Sequence, residues 1–110
     1  MKDDNVYLNH ILEFIENVLE DTYGFTEEKF LINRTIKQAV TRNVEMMGEA
    51  VKHLSSEFIT KHNNIPWQKI ARTRDMLIHH YFEVDDQQLW KIIIDDLHKL
   101  KISIENILNK

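Results

Sequence analysis

The residues best equipped for chemistry lie in one short stretch, residues 70–82, which reads IARTRDMLIHHYF. It contains two arginines, an aspartate, two histidines and a tyrosine. Histidine is the side chain best suited to move a proton near neutral pH, so the stretch can support acid–base chemistry. The structural alternative is that the cations gather here because they stabilise the negative end of a helix dipole. The residue types alone favour this simpler alternative, because short motifs are weak evidence.

The spacing within this stretch limits which side chains can meet. Arg74 and Tyr81 are seven residues apart, so they share one face of an ideal helix. Arg74 and His79 are five residues apart and do not share a face. These two converge only if the helix frays at His79, or if a second copy of the chain brings its own pair alongside. A symmetric dimer satisfies this requirement. Asp75 precedes His79 by one turn, where its carboxylate can hold the imidazole in one tautomer.

The elements that position these residues are predicted to be helices. The chain has 110 residues, 43% of them hydrophobic, which is the size of a single compact domain over residues 1–110. It contains only two glycines and one proline, whereas sheet-rich folds need many turn residues, so the sequence predicts an all-α fold. It has no cysteine, and no apolar run approaches the ~18 residues of a membrane span. We therefore expect a cytoplasmic protein that does not contact a membrane.

Hydrophobic periodicity and helix-capping residues predict five helical segments: about residues 4–21, 26–33, 35–61, 66–79 or 66–81, and 85 to the C-terminus. Thr26 and Asp85 are suitable N-caps, and Pro66 suits the first turn of the fourth segment. Four long amphipathic helices with short connections are expected to form an antiparallel four-helix bundle, with the second segment as a short accessory helix.

Charged residues give two weaker signals. The net charge is -4, so any contact with a polyanion must be local, and the basic residues near 34–42 and 69–74 are read as solvated helix faces. Carboxylates and one histidine also recur at every fourth position, a spacing that could present metal ligands: Glu45, Glu49, His53 and Glu57. A mixed, solvent-facing stripe is the favoured interpretation of this second pattern.

The pattern Arg74-x4-His79-x-Tyr81 resembles the R-x4-H-x-Y signature of the HepT-like branch of the HEPN superfamily. The signature alone is short, but the similarity continues in order and spacing over nearly the whole chain. It includes Tyr7-Leu8, Phe30, Ala39 through Arg42 to Gly48-Glu49-Ala50, Leu54, Ile65-Pro66-Trp67, Leu89-Trp90 and Asp96-Leu97. His80 differs from the family pattern, in which an aspartate is more usual.

This resemblance implies a homodimer in which the two Arg74–His79 pairs face one shared cleft and cut RNA without a metal or any other cofactor. His79 would transfer protons and Arg74 would stabilise charge on the phosphate, leaving a 2′,3′-cyclic phosphate end. Asp75, Tyr81 and Glu49 would support the site. In this arrangement Gly48 would permit close packing of two helices.

The resemblance also implies a biological partner. HepT-like proteins are toxins of type VII toxin–antitoxin pairs, and a minimal, MntA-like nucleotidyltransferase neutralises them by transferring AMP to the motif tyrosine, here Tyr81. Two alternatives remain open: a non-catalytic binding partner of such a nucleotidyltransferase, and a structural dimerisation domain. The intact pair of Arg74 and His79 favours catalysis, since a scaffold would not need both at this spacing.

Overall fold

The structure, a computed structural model, describes residues 2–79 and 86–109, with the side chains of residues 3–75 and 86–109. This part of the chain is helical and contains no strand, so the predicted all-α class is confirmed. The elements in order are α1 (Lys2–Asp21), α2 (Glu27–Ile32), α3 (Arg34–Lys52), α4 (Ser56–Lys61), α5 (Trp67–His79), α6 (Asp86–Lys91), a π-helical segment (Ile92–Leu97) and α7 (His98–Leu108).

Side-chain caps determine where the early helices begin. Thr26 accepts a hydrogen bond from the backbone N–H of Lys29 at 3.2 Å, which confirms the predicted cap of the second helix. Asn33 is both the C-cap of α2 and the N-cap of α3. As the N-cap, its side chain accepts a hydrogen bond from Ile36 N–H at 3.0 Å. The connection between α2 and α3 is therefore a single residue.

The predicted third segment, residues 35–61, is wrong as one helix. α3 ends at Lys52, and Ser55 then caps α4 by accepting a hydrogen bond from Phe58 N–H at 3.1 Å. Ser55 is itself held by Asp4, whose carboxylate accepts hydrogen bonds from the Ser55 amide and hydroxyl, both at 2.8 Å. Because Asp4 lies in α1, the break depends on a contact that spans 51 residues of sequence.

Asp4 is buried, and burial raises the pKa of a carboxyl group, but the hydrogen bonds from the amide and hydroxyl of Ser55 lower it. The net pKa of Asp4 lies below its ordinary value. Its ionised form therefore stabilises the fold above that pKa, and this contribution fades as the pH falls through it. Asp4 thus fixes the start of α1 against the end of α3.

The last two predicted segments are correct in outline. α5 begins directly after Pro66 and continues to His79; the alternative end at Tyr81 and the proposed cap Asp85 lie outside the described residues. The fifth segment was predicted as one regular helix, but residues 92–97 have π-helical hydrogen bonding. A π segment inserts an extra residue into the turn, so it shifts the buried face of α7 relative to that of α6.

The buried side chains form one apolar cluster that extends from α1 through α3 to the C-terminal helices. α3 is central, since it packs against α1 on one side and α5 on the other, while α1 also contacts α7. Trp67 is buried and donates a hydrogen bond to the His62 carbonyl at 3.0 Å, and Trp90 packs against Phe30. Trp67 is therefore part of the core, and the partly buried Trp90 packs against it. None of the helices in the described ranges is long and apolar enough to cross a membrane.

Candidate active site

The site is built where α3 and α5 pack tightly against each other. A Cβ atom added to Gly48 in α3 would collide with Cβ of Arg74 in α5, and it would lie 3.0 Å from Arg74 Cγ and 3.2 Å from the Ile70 carbonyl oxygen. The predicted close packing at Gly48 is confirmed. Because Gly48 has no side chain, α3 supports the base of the Arg74 side chain directly.

This contact gives a first prediction. Gly48→Ala should destabilise the protein, although alanine normally stabilises a helix by about 1 kcal/mol relative to glycine. The overlap involves Arg74 Cβ and lies close to a backbone oxygen, so it cannot be relieved by rotating a flexible chain end. We expect a net loss of about 1–3 kcal/mol in the free energy of unfolding, measured by urea denaturation.

Gln38→Ala is the matched control, because Gln38 is an exposed residue of the same helix. This substitution should change stability by no more than about 0.5 kcal/mol. A Gly48→Ala protein at least as stable as the original chain would contradict the steric role assigned to Gly48.

Five side chains around this contact form an ion-pair cluster, which comprises Glu49 and Lys52 of α3, its C-cap residue His53, and Arg74 and Asp75 of α5. Arg74 Nη2 lies 3.1 Å from Glu49 Oε2, and Arg74 Nη1 donates to Asp75 Oδ1 at 3.1 Å. Lys52 Nζ donates to the same Asp75 oxygen at 2.7 Å, and His53 Nε2 lies 3.5 Å from Glu49 Oε1. The guanidinium is therefore held between two carboxylates, one from each helix.

The electrostatics of the cluster favour ionised partners. Hydrogen bonds from Lys52 and then from Arg74 hold the pKa of the Asp75 carboxyl below its ordinary value, so Asp75 is a carboxylate at neutral pH. The side chains of Glu49 and Asp75 are more than 40% exposed, and ion pairs this open contribute little to stability. Their main effect is to orient the guanidinium of Arg74, a residue whose side chain is 25% exposed.

Aromatic rings border the cluster on the side of α1. The Tyr7 ring stacks on the imidazole of His53, with centroids 4.9 Å apart and planes inclined by 12°. His10 lies edge-on to Tyr7 at 6.1 Å. Neither Tyr7 nor Lys52 was predicted as a site residue. Lys52 and His53 follow Glu49 at helical spacing, which was the available signal, whereas the position of Tyr7 depends on packing between helices.

The structure divides the four residues of the possible metal-binding stripe between two helices and the residue that follows the first of them. Glu57 belongs to α4, whereas Glu45 and Glu49 belong to α3 and His53 is the C-cap residue of α3. Within the described ranges, no group of three or more histidines, aspartates and glutamates is placed to hold a metal ion. Glu49 instead contacts Arg74.

The remaining predicted site residues are only partly visible. His79 is the last residue of α5, and only its backbone is described. His80 and Tyr81 lie outside the described residues. Asp75 was expected to orient His79, and the contacts described for it are with Lys52 and Arg74. Lys37 and Lys69 form ion pairs with Asp86 and Asp96, at 2.9 and 3.7 Å. The Lys69 side chain is 62% exposed, as expected for a solvated helix face, whereas the Lys37 side chain is only 25% exposed and Arg74 belongs to the ion-pair cluster.

Comparisons with known proteins identify the family. A family model described as "Ribonuclease HepT-like" matches residues 10–107. The chain is 39% identical over 110 residues to a "putative RNase" of Caldanaerobacter subterraneus subsp. tengcongensis, covering 100% of this chain and 98% of that protein. It is 42% identical over 101 residues to a "probable ribonuclease HepT" of Thermococcus cleftensis, covering 92% of each.

A third relative is longer than this chain. The chain is 44% identical over 109 residues to a "gamma-glutamylcyclotransferase and putative RNase" of Methanocaldococcus jannaschii, covering 99% of this chain but only 49% of that protein. The chain thus spans about half the length of this relative. No solved structure matches the chain. The family model and the full-length similarities together show that the chain belongs to the HepT-like ribonuclease family.

Proposed function

We propose that this protein is a metal-independent endoribonuclease in which Arg74 and His79 are the catalytic residues. The observation that carries the proposal is the orientation of Arg74, whose guanidinium is held by Glu49 and Asp75 on the helix that ends at His79. Family membership supports ribonuclease chemistry. Asp75 accepts a hydrogen bond from one of the five N–H donors of the guanidinium, and Glu49 lies at ion-pair distance, so other donors can meet a phosphate.

The proposed reaction needs only these side chains and the RNA. The ribose 2′-oxygen attacks the adjacent phosphorus while the P–O5′ bond breaks. A histidine takes the 2′-hydroxyl proton and returns a proton to the departing 5′-oxygen, so the products are a 2′,3′-cyclic phosphate and a 5′-hydroxyl. Arg74 neutralises the charge that builds up on the phosphoryl oxygens. DNA lacks the 2′-hydroxyl and should not be cut.

The proposal includes a two-fold dimer of antiparallel four-helix bundles. Positions 74 and 79 are five residues apart on one continuous helix, α5, which separates them by about 140° around the helix axis. One chain therefore does not easily present both groups to one phosphate. A second chain related by a two-fold axis can supply the missing partner, and two-fold pairing is the commonest symmetry of small homo-oligomers.

The test is complementation between two inactive variants. Arg74→Ala and His79→Ala are each expected to be inactive as homodimers. Mixing them under conditions that exchange subunits creates heterodimers, in which one chain supplies an intact arginine and the other an intact histidine. About half of the dimers would be mixed, each with one of two sites restored, so activity should recover to about a quarter of the unmodified level.

Recovery would demonstrate that the catalytic pair is shared between chains. If both inactive variants form dimers and their exchanged mixture stays inactive, Arg74 and His79 of the same chain must act together. A chain that remains monomeric at micromolar concentration by light scattering would overturn the shared site outright.

We further propose that the ribonuclease is the toxin of a cytoplasmic toxin–antitoxin pair, with a minimal nucleotidyltransferase as antitoxin. The support is the match between Arg74-x4-His79-x-Tyr81 and the family signature, which includes the tyrosine that would be modified. Co-expression of the two genes should relieve the growth arrest that the ribonuclease causes alone. A chain that binds the nucleotidyltransferase but cleaves no RNA would instead be a non-catalytic partner.

A further inference from the structure

Three rings beside the ion-pair cluster form an aromatic ledge, defined by His10, Tyr7 and His53. Tyr7 and His53 are nearly parallel, and His10 meets Tyr7 at right angles. Tyr7 is half-buried, whereas His10 and His53 are exposed, the side chain of His53 by 52%. Tyr7 covers one face of the imidazole, and about half of the His53 side chain remains exposed. The ledge therefore presents a flat ring surface to solvent.

The ledge is adjacent to the proposed catalytic arginine. Glu49 contacts His53 Nε2 through one carboxylate oxygen, at 3.5 Å, and Arg74 Nη2 through the other, at 3.1 Å. A single carboxylate group thus separates the imidazole from the guanidinium. In a nucleic acid strand, each base is likewise attached one sugar away from a phosphate.

We propose that the aromatic ledge binds a nucleobase of single-stranded RNA next to the phosphate held by Arg74. The inference rests on the proposed ribonuclease function and deepens it by assigning a base-binding subsite to His53 and Tyr7. Unstacked RNA bases commonly stack on tyrosine and histidine rings. Such stacking accepts every base, because each has a π-face. The ledge therefore positions the strand without reading its sequence strictly, and purines, with their larger rings, bind it better.

The surrounding contacts hold the ledge in place before RNA arrives. Asp4 binds Ser55, so the first turn of α1 is fixed beside the end of α3, and Tyr7 follows Asp4 by three residues. Glu49 lies beside the edge of the His53 ring. A preformed stack costs less ordering on binding than two mobile side chains would. The competing explanation is that Tyr7 and His53 only join α1 to α3.

Substrates that lack one base separate these two explanations. Cleavage sites in a short RNA are first mapped with the unmodified enzyme, and the base on either side of the cut is then removed, leaving an abasic ribose. At one of the two positions, removal should raise KM roughly five- to a hundredfold with little change in kcat. His53→Ala should raise KM on the complete RNA by a similar factor. On the abasic RNA, His53→Ala should add no further effect.

Binding without cleavage provides a second readout. RNA carrying 2-aminopurine at the mapped position, added to His79→Ala protein, should lose fluorescence when the base stacks on the ledge. Introducing His53→Ala into the His79→Ala protein should abolish this quenching. Introducing His53→Phe instead should preserve it, because phenylalanine keeps a flat ring. His98→Ala is the matched control, because His98 is an exposed histidine at the start of α7.

The outcomes distinguish this inference from the function on which it rests. The base-binding ledge is overturned if RNA is cleaved but the effects of His53→Ala and of base removal on KM are additive. It is also overturned if neither change affects KM. Both results leave the proposed ribonuclease function standing. If no RNA is cut, the proposed function fails. The fluorescence experiment, with 2-aminopurine placed at each position of the RNA in turn, then tests base binding by the ledge independently of cleavage. If His53→Ala leaves the quenching unchanged, the base-binding ledge is overturned.

Discussion

Replacing either Arg74 or His79 with alanine is expected to lower the rate of RNA cleavage by at least about 100-fold. Proton transfer by a positioned histidine typically contributes about 10²- to 10⁴-fold, and stabilisation of charge on the phosphoryl oxygens contributes on a similar scale. Single-turnover cleavage of a labelled RNA measures both effects. Activity should persist in EDTA, and the product ends should be 2′,3′-cyclic phosphates.

Two controls separate catalysis from general damage to the helix. Arg72→Ala removes an exposed arginine from the same helix and should change the rate only slightly. His80→Ala should matter much less than His79→Ala, although the two histidines are adjacent in sequence. Cleavage that requires Mg²⁺ and is insensitive to both Arg74→Ala and His79→Ala would contradict the proposed mechanism.

The effect of Arg74→Ala depends on contacts that no local pattern contains. Glu49 and Arg74 belong to different helices and are 25 residues apart in sequence, so their 3.1 Å contact exists only once α3 packs on α5. The sequence contained one indirect sign of this packing, Gly48, next to Glu49. A glycine within an otherwise regular helical pattern often marks a close approach. Lys52 follows Glu49 at helical spacing, but this spacing does not predict its contact with Asp75, because a lysine on a helix face usually points to solvent.

The helices themselves were largely predictable, because apolar spacing and capping residues act within a few positions. Thr26 illustrates this, since its cap needs only the N–H of Lys29. The break after α3 was missed because Phe58 continues the apolar stripe of the preceding helix. Local spacing therefore favours one long helix there. The deciding contact is between Asp4 and Ser55, and a local window cannot include both.

The π-helical segment was missed for a related reason. Ile92, Ile93 and Ile94 are consecutive, so an apolar side chain is available whichever way the helix turns. The structure buries Ile93 and leaves Ile94 exposed. Apolar periodicity cannot distinguish these choices, since the packing of the whole C-terminal region selects among them. The sequence therefore predicts that this region is helical, but it does not predict which of the three isoleucines faces the core.

The second large effect is expected at Tyr81, where transfer of AMP should abolish RNA cleavage. We propose that the tyrosine oxygen attacks the α-phosphorus of ATP, with pyrophosphate as leaving group and the phenolic proton passing to a base. Tyr81 follows Arg74 by seven residues, the spacing of about two helical turns. Each AMP adds a negative phosphate and a bulky base, so it would occupy the guanidinium and exclude the substrate phosphate.

Tyr81→Phe should therefore yield a ribonuclease that cleaves RNA nearly normally but resists silencing, because it keeps the aromatic ring and loses only the acceptor oxygen. Intact-mass spectrometry after incubation with ATP, Mg²⁺ and the cognate nucleotidyltransferase should show AMP increments on the unmodified chain and none on Tyr81→Phe. Tyr23→Phe is the matched control, since Tyr23 is 88% exposed and lies outside the motif; this variant should still be modified. AMP increments that persist in Tyr81→Phe would assign the modification to another residue and remove the physical link between AMP transfer and Arg74.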